Sequence, residues 1–585
     1  MGSRPRLSRN KSGACAVGIV NIFGTSVLEK KLRIMTEFLT AHQALVDWAQ
    51  KKPDTIFLNQ PVGGIVRTFT WAESADISRR IASGLLALGL GAGDKVAILA
   101  KNSAEWFLAD MAISMAGMIS VPIYPTAGPE TIAHVLQHSE AKALFVGKLD
   151  NVEWAASAVP KSLQTIAFPY PTMDCDHQWQ ELIGKCEPLD ALYQPTKDDV
   201  MTILYTSGST GKPKGVVISY GAYAYGSEAA RGSIDAGPDD HLFSYLPLAH
   251  ITERTCTAGP AIYGGCQCSF VESLETFARD LKRASPTIFI SVPRLWVKFQ
   301  SGVHAKISPT KLKVLLSLPI IGKVVAKKIR EELGFGNCRS FGSGSAPISP
   351  LTLKWYERLG VNIAEGWGMS ETSGLSCGNF PFSSNRIGTI GNPPDGTEIK
   401  LSDEGEILIR TPGLFTEYYK QPELTREVMT EDGFFHTGDR AVWDESVQAY
   451  RITGRVKDIF KSAKGKYVTP VPIESRLSGN PLLEQICVMG SGLPAPVAVV
   501  VLSETAKYIS KEDIRTSLEE TLNEVNAALE SHEKMSNILI VDDEWTIENE
   551  LLTPTLKVKR AELEDKYRQL LSQRFSETVA WESQA

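Results

Sequence analysis

Tyr205-Thr-Ser-Gly-Ser-Thr-Gly-Lys-Pro-Lys-Gly215 decides how this chain is read. Ten of its eleven residues are small, hydroxylated, basic, glycine or proline, so the stretch cannot build a core. It follows Met201-Thr-Ile-Leu-Tyr205 and precedes Val216-Val-Ile-Ser219, two apolar β-prone runs that predict strands. A flexible linker has no reason to sit between two strands. Glycines such as Gly208 let the backbone approach an anion closely. Successive N–H groups in such a turn form an anion-binding nest. Thr206, Ser207, Ser209 and Thr210 add hydroxyl donors, and Lys212 and Lys214 add positive charge. The loop is therefore read as a polyphosphate cradle. It is not a Walker loop, because Gly211-Lys212 is followed by Pro213 rather than Ser or Thr. A second glycine cluster, Gly89-Leu-Gly-Ala-Gly93, follows a helical pattern and precedes a strand, the reverse of a dinucleotide fingerprint, and reads as a helix C-cap and turn.

Outward from the loop, strand and helix patterns alternate. Lys95–Ala100, Ile119–Ile123, Ala143–Val146 and Thr287–Val292 read as strands, and Glu105–Met118 as a buried helix. This alternation predicts an α/β fold whose parallel or mixed sheets are covered by helices. From about Gly388 the texture changes to short strands and turns (Glu398–Leu401, Gly405–Arg410, Tyr450–Thr453), a β-rich subdomain. The last stretch mixes the strand Ala498–Leu502 with charged helical patterns over Ile514–Leu529 and Ala561–Leu571, a small α+β domain. The expected division is a disordered N-terminal extension over 1–34, a large domain over 35–456, and a C-terminal domain over 457–585.

Composition narrows the function classes. A chain of 585 residues exceeds one ordinary core. The formal net charge of −6, with no basic stripe marking a nucleic-acid footprint, gives no nucleic-acid partner. Nine scattered cysteines, with only Cys266 and Cys268 close and no histidine at metal spacing, read as reduced thiols. No stretch reaches the roughly 20 apolar residues of a membrane span. The apolar run Ala14–Val27 after Arg4, Arg6, Arg9 and Lys11 imitates a signal peptide, but Asn21 interrupts it and Lys30, Lys31 and Arg33 follow it.

Five motifs in order, over roughly residues 36–570, resemble the adenylate-forming superfamily of acyl-CoA synthetases, luciferases and peptide-synthetase adenylation domains. They are the loop Thr206–Gly215, Glu365-Gly-Trp-Gly-Met-Ser-Glu-Thr372, His436-Thr-Gly-Asp439, Gly454-Arg-Val-Lys-Asp458 and Thr553-Pro-Thr-Leu-Lys-Val-Lys-Arg560. Leu246-Pro-Leu-Ala-His-Ile-Thr-Glu-Arg254, Ser291-Val-Pro-Arg-Leu-Trp-Val-Lys298 and Lys464-Gly-Lys-Tyr-Val468 are similar to segments of the long-chain fatty acyl-CoA synthetase branch.

The resemblance implies that 35–456 is the ATP- and acyl-binding domain and 457–585 a mobile C-terminal domain, and it implies roles for matching positions. Glu371, with Thr206, would hold Mg2+. Thr206, Ser207, Gly208, Ser209, Thr210 and Lys214 would cradle the phosphates of ATP. Gly344, Ser345 and Ala346 would lie against the adenine and the acyl entrance, with Glu365, Gly366, Trp367, Gly368 and Ser370 completing that wall; a flat indole at 367 suits a flat base. Asp439 would accept from both ribose hydroxyls, and Arg455 would meet ribose or phosphate. Lys557 would be the catalytic lysine bridging carboxylate and α-phosphate, although a run such as Lys557, Lys559, Arg560 is commonly a solvated helix face. Lys457 would be the hinge about which the C-terminal domain rotates, and Gly465, within Lys461–Tyr467, would admit coenzyme A. His250, with Gly344 and Gly368, would line the acyl pocket, while His436 reads as structural.

The implied activity is an ATP-dependent acid–thiol ligase that converts a fatty acid, long-chain by this resemblance, to acyl-AMP and passes the acyl group to coenzyme A, releasing AMP and pyrophosphate. Two alternatives stay open at this stage: a fatty acyl-AMP ligase delivering to an acyl carrier protein, and a non-catalytic nucleotide-binding homologue. The expected setting is cytoplasmic, with a long-chain substrate drawing the enzyme peripherally to the inner membrane surface, as a monomer or a homodimer.

Overall fold

Local sequence chemistry sets the first boundaries. Thr40 and Gln43 form a reciprocal capping box that starts the helix Ala41–Lys51, and Thr70 with Glu73 does the same for Trp71–Ala87. The latter helix ends at Leu88, after which Gly89 and Gly93 take φ of +84° and +82°, so the glycine cluster is a helix stop and turn. The structure is a computed structural model describing residues 39–206, 212–553, 557–571, 573 and 577–584. The N-terminal extension, positions 207–211 of the phosphate loop and 554–556 lie outside the described residues. From Thr40 onward the chain forms one unit.

Two eight-stranded sheets carry the large domain. In one, Lys95–Ala100 pairs in parallel with Ile119–Ile123 and Ala143–Gly147. Ile119–Ile123 in turn pairs in parallel with Val200–Thr206. Val200–Thr206 then turns back on Lys214–Ser219 as an antiparallel pair, which places the phosphate loop in a hairpin connection. In the other sheet, His241–Ser244, Ile288–Ser291, Ser340–Ser343 and Ile363–Met369 run parallel in that spatial order. A four-stranded antiparallel sheet contains Glu398–Leu401, Glu406–Arg410, Phe435–Asp444 and Ala449–Arg455.

The helix Ala104–Met115 is buried along its whole length, so its sequence shows no amphipathic stripe. It stops three residues before the predicted end because Ala116 caps it and Gly117 turns at φ +72°. Beyond the antiparallel sheet, Phe460, Val468, Ile473 and later residues form clusters separate from those of the preceding chain. These clusters surround a four-stranded sheet of Leu483–Met489, Val497–Leu502, Asn537–Ile540 and Val579–Trp581. An ion pair from Arg294 to Glu484, with Nε–Oε1 at 2.7 Å, reaches across to the earlier part of the chain. Among the described residues no helix is long and apolar enough to cross a membrane, no group of three or more His, Cys, Asp or Glu could hold a metal, and eight free cysteines are present.

One buried charge pair stands at the centre of the large domain. Asp110, the residue that interrupts the apolar run of its helix, accepts two bonds from Arg254 Nη2 at 2.6 and 2.8 Å. Arg254 Nη1 also donates to Thr202 Oγ1 at 2.7 Å, and the guanidinium lies near the Trp106 and Tyr223 rings. Both side chains are essentially sealed from water. Removing one partner of such a pair costs about 3–5 kcal/mol, because the other charge stays buried. Asp110→Ala should therefore lower the urea midpoint of the large domain by an amount matching that loss; a midpoint close to wild type would show that the pair contributes little.

Candidate active site

The strand Ile363–Met369 alternates its side chains, so Glu365 and Trp367 share one face while Gly366 and Gly368 share the other. Gly368 is demanded by packing: a Cβ there would sit 1.7 Å from the Gly374 carbonyl oxygen of the neighbouring strand. The chain then turns through Ser370–Thr372, burying Glu371. Next to it, Ser345 takes φ +68°, a left-handed conformation uncommon for serine that concentrates at functional sites. Its hydroxyl lies 3.3 Å from Thr252 Oγ1. Between these elements and the C-terminal domain lies a cleft of about 2040 Å³.

At one end of the cleft stand the two strands that flank the phosphate loop. Thr206 lies directly opposite Lys214 in their register. Lys214 Nζ sits 3.2 Å from Glu371 Oε1 and 3.7 Å from the centre of the Tyr418 ring. Tyr418 donates its hydroxyl to the same Glu371 oxygen at 2.9 Å. Burial and then the Glu371 charge push the phenol upward, so it stays a donor. Two hydroxyls on the wall, Thr206 Oγ1 and Ser343 Oγ, are buried and lack a partner among the described residues. A buried polar atom without a bond is costly.

The loop is also gripped from behind. On the helix Pro129–Ser139, His134 and His138 stand four residues apart with stacked rings. His134 Nε2 donates to the Pro213 carbonyl at 3.0 Å, and His138 Nδ1 lies 2.8 Å from the Tyr205 hydroxyl. The two histidines thus hold both feet of the loop.

Also on the cleft wall, the hairpin of Phe435–Asp444 and Ala449–Arg455 puts Asp439 and Arg455 in direct register. That pairing is the physical meaning of their 16-residue separation. Arg455 Nε donates to Asp439 Oδ1 at 2.7 Å, and Trp367 Nε1 donates to Oδ2 at 2.9 Å. Both oxygens are oriented, each with a lone pair left to accept a further bond. Glu365 is held differently: burial pushes its carboxyl up to about 8, and its Oε2 accepts the Gly388 N–H at 2.7 Å. His436 pairs with Glu406 at 2.9 Å and so supports the antiparallel sheet.

Lys557 comes to this cleft from the far end of the chain. Its N–H donates to Thr553 Oγ1 at 3.1 Å, and its carbonyl accepts the Thr553 N–H at 2.8 Å, which ties the two ends of the segment together. Its side chain touches solvent within the cleft yet is ringed by protein, and its pKa is lowered first by burial and then by Arg455, against the opposing pull of Asp439 and Glu371. Arg560, three residues later, also borders the cleft but is tied down within its own domain, bonding Glu474 Oε1 at 2.8 Å and the Val488 carbonyl at 2.6 Å.

His250 caps the short helix Ile251–Glu253, its Nδ1 accepting the Thr252 N–H at 3.1 Å. The neutral ring must then carry its proton on Nε2. Burial, and then the Lys557 charge, hold its pKa at about 3.

Of the sequence-derived candidates, Thr206, Lys214, His250, Ser345, Ala346, Glu365, Gly366, Trp367, Gly368, Ser370, Glu371, Asp439, Arg455, Lys457 and Lys557 all line this one cleft. Gly344 and Gly465 do not. Gly344 packs near the Gly366 carbonyl, and Gly465 turns at φ +76° between Phe460–Lys461 and Tyr467–Val468, whose Lys461 and Tyr467 do reach the cleft. Ser207, Gly208, Ser209 and Thr210 lie outside the described residues. Sequence reasoning missed Tyr418, His134 and His138; the histidines left a faint signal in their four-residue spacing, Tyr418 none.

The AMP-binding enzyme family matches residues 45–419, and the AMP-binding enzyme C-terminal domain matches residues 457–578. The chain is 30% identical to the peroxisomal long chain acyl-CoA synthetase 7 of Arabidopsis thaliana, covering 93% of this chain and 87% of that protein. It is 28% identical to a long-chain-fatty-acid–CoA ligase of Mycobacterium bovis, covering 88% of this chain and 93% of that one. Among solved structures, the adenylation domain of a carboxylate reductase from Mycobacterium chelonae shares the fold with a TM-score of 0.77 at 24% identity, over 93% of this chain and 92% of that chain. A corresponding domain from Segniliparus rugosus, in complex with AMP and a co-purified carboxylic acid, has a TM-score of 0.76 at 24% identity over 94% of this chain and 95% of that chain. Matches over residues 45–419 and 457–578 make this protein a member of the AMP-binding enzyme family.

Proposed function

We propose that the chain is an ATP-dependent ligase that activates a long-chain fatty acid as acyl-AMP and transfers the acyl group to coenzyme A. The observation that carries this reading is the presence of the Lys557 ammonium in the cleft that also holds Thr206, Glu371 and Asp439. A nucleotide-binding protein without chemistry has no need to bring a cation from its far C-terminus to that place. The named activities of the curated relatives support the acyl substrate and the thiol acceptor.

In the first step a fatty carboxylate oxygen bonds to the α-phosphorus of ATP as the bond to pyrophosphate breaks. An anion approaches a polyanion, so catalysis consists of positioning and charge neutralisation. Lys214 from the large domain and Lys557 from the C-terminal domain supply positive charge. Asp439, oriented by Trp367 and Arg455, would receive the ribose hydroxyls. Trp367 would present its ring to the base. The cleft continues past His250 to Ile123, Tyr124 and Val135, an apolar wall suited to the start of an acyl chain.

The Thr206 hydroxyl, without a partner among the described residues, and the Glu371 carboxylate are hard oxygen donors that suit Mg2+, which takes few protein ligands and otherwise keeps water and phosphate oxygens. Bound there, the ion would neutralise phosphate charge. In the second step the thiol sulfur of coenzyme A attacks the acyl carbon, the thiol proton leaves, and AMP departs. Lys557 and the thiol need the same face of the carbonyl, so the domain over 457–585 rotates about Lys457 and brings the Lys461–Tyr467 turn to the thiol's path. Such hinges are commonly single loop residues that absorb a φ/ψ change.

A screen of straight-chain acids from acetate to octadecanoate for coenzyme A-dependent AMP release tests the reading. Release should be greatest with the long acids and should require free coenzyme A; preference for an acyl carrier protein, or for short acids, would overturn it. For Lys557, replacement by alanine should reduce acid-dependent pyrophosphate–ATP exchange by at least about a hundredfold, the usual scale for one positioned electrostatic group. The same variant should still pass preformed acyl-adenylate to coenzyme A. Equal loss of both half-reactions would contradict the assigned role.

A further inference from the structure

Residues 281–330 contain eleven Lys and Arg and no Asp or Glu, in a chain whose formal net charge is −6. Within that stretch two helices, Pro309–Ser317 and Pro319–Glu332, are joined through Leu318 alone. Their inner face is satisfied: Leu312, Ala326 and Ile329 are buried in a cluster with Phe289, Trp296 and Phe335. The tip has the opposite character. Ile320 is 80% exposed, Val324 63%, Val314 58%, Ile321 49% and Leu318 40%. These aliphatic residues sit in the last turn of one helix, the connection and the first turns of the other. They contribute nothing to the core that holds the hairpin in place.

Charge surrounds that apolar tip. Lys311, Lys313, Lys323, Lys327 and Lys328 are all exposed. Lys327 lies 3.8 Å from Glu331, but no ion pair takes up Lys311, Lys313, Lys323 or Lys328 among the described residues. An exposed aliphatic patch rimmed by unneutralised lysines matches the two properties of an anionic lipid surface, an apolar interior below a negative plane. A nucleic acid would engage the lysines but would leave the aliphatic tip in water, and the tip offers no aromatic ring for a base to stack on.

We propose that the hairpin Pro309–Glu332 docks this protein onto an anionic bilayer, sinking Ile320, Ile321 and Val324 into the interface while the flanking lysines meet lipid phosphates. The docking stands on this surface and not on the activity proposed above, but it suits it, since a long-chain fatty acid resides in the membrane.

The full chain should float with vesicles containing phosphatidylglycerol and phosphatidylcholine, bind phosphatidylcholine-only vesicles at least about tenfold more weakly, and release as salt rises. The double variant Ile320→Ser/Val324→Ser should lose at least about tenfold in vesicle affinity, because two aliphatic side chains no longer enter the interface. Its circular dichroism and its AMP-release rate with a water-soluble medium-chain acid should match wild type. A separate variant, Lys323→Gln/Lys328→Gln, should lose the preference for anionic lipid. Failure of the wild-type chain to bind anionic vesicles, or equal binding by the serine variant, would overturn the proposal. So would a wild-type dimer in sedimentation velocity that the serine variant abolishes, since the patch would then be covered by a second copy. Activity loss in every variant and in wild type alike would count against the ligase reading and leave the vesicle result to decide the docking.

Discussion

Everything in the cleft depends on keeping opposite charges close without letting them cancel. Glu371 is shared by the Lys214 ammonium and the Tyr418 hydroxyl, and Asp439 by Arg455 and the Trp367 N–H. Each carboxylate is thereby fixed in direction by one cation and one neutral donor. Lys557 completes the set from another domain, with its ammonium made easier to deprotonate by burial and Arg455. A site organised this way is built to receive an anion with several oxygens, since the cations are present but only partly engaged. The buried hydroxyls of Thr206 and Ser343, without a partner among the described residues, add polar groups to the same cleft.

The scaffold explains why these groups meet. The strands Val200–Thr206 and Ile363–Met369 both end at the cleft. The antiparallel hairpin supplies Asp439 and Arg455 as a register pair, so one turn geometry fixes both. The His134–His138 pair and the Asp110–Arg254 pair work at different depths: the first holds Tyr205 and Pro213 on either side of the loop proposed to take phosphate, the second ties a wholly buried helix to the segment that leads from His250.

Much of this was readable in the residues. Runs such as Lys95–Ala100 and Ala143–Gly147 declare buried parallel strands because both faces are apolar. The motifs around Thr206, Asp439 and Lys557 pointed to residues that the fold brings to one cleft. What sequence could not supply are relations made only in three dimensions. Tyr418 matters because its short strand pairs beside Lys214–Ser219, a contact between residues two hundred positions apart in which no local pattern takes part. Gly368 looked like a position for ligand approach, whereas the neighbouring Gly374 carbonyl already explains it. The aliphatic residues around Ile320 have the spacing of a core-facing stripe, and only the fold reveals that a second stripe on the same helices already fills that role.

The central claim is that the phosphate loop and Lys557 act on one phosphorus. A crystal structure with bound ATP and a non-reactive fatty-acid analogue measures this most directly. The account predicts the triphosphate between Thr206 and Lys214, with Lys557 Nζ at about 3 Å from an α-phosphate oxygen. Triphosphate density away from that loop, or Lys557 held beyond bonding range while the nucleotide occupies the cleft, would contradict it.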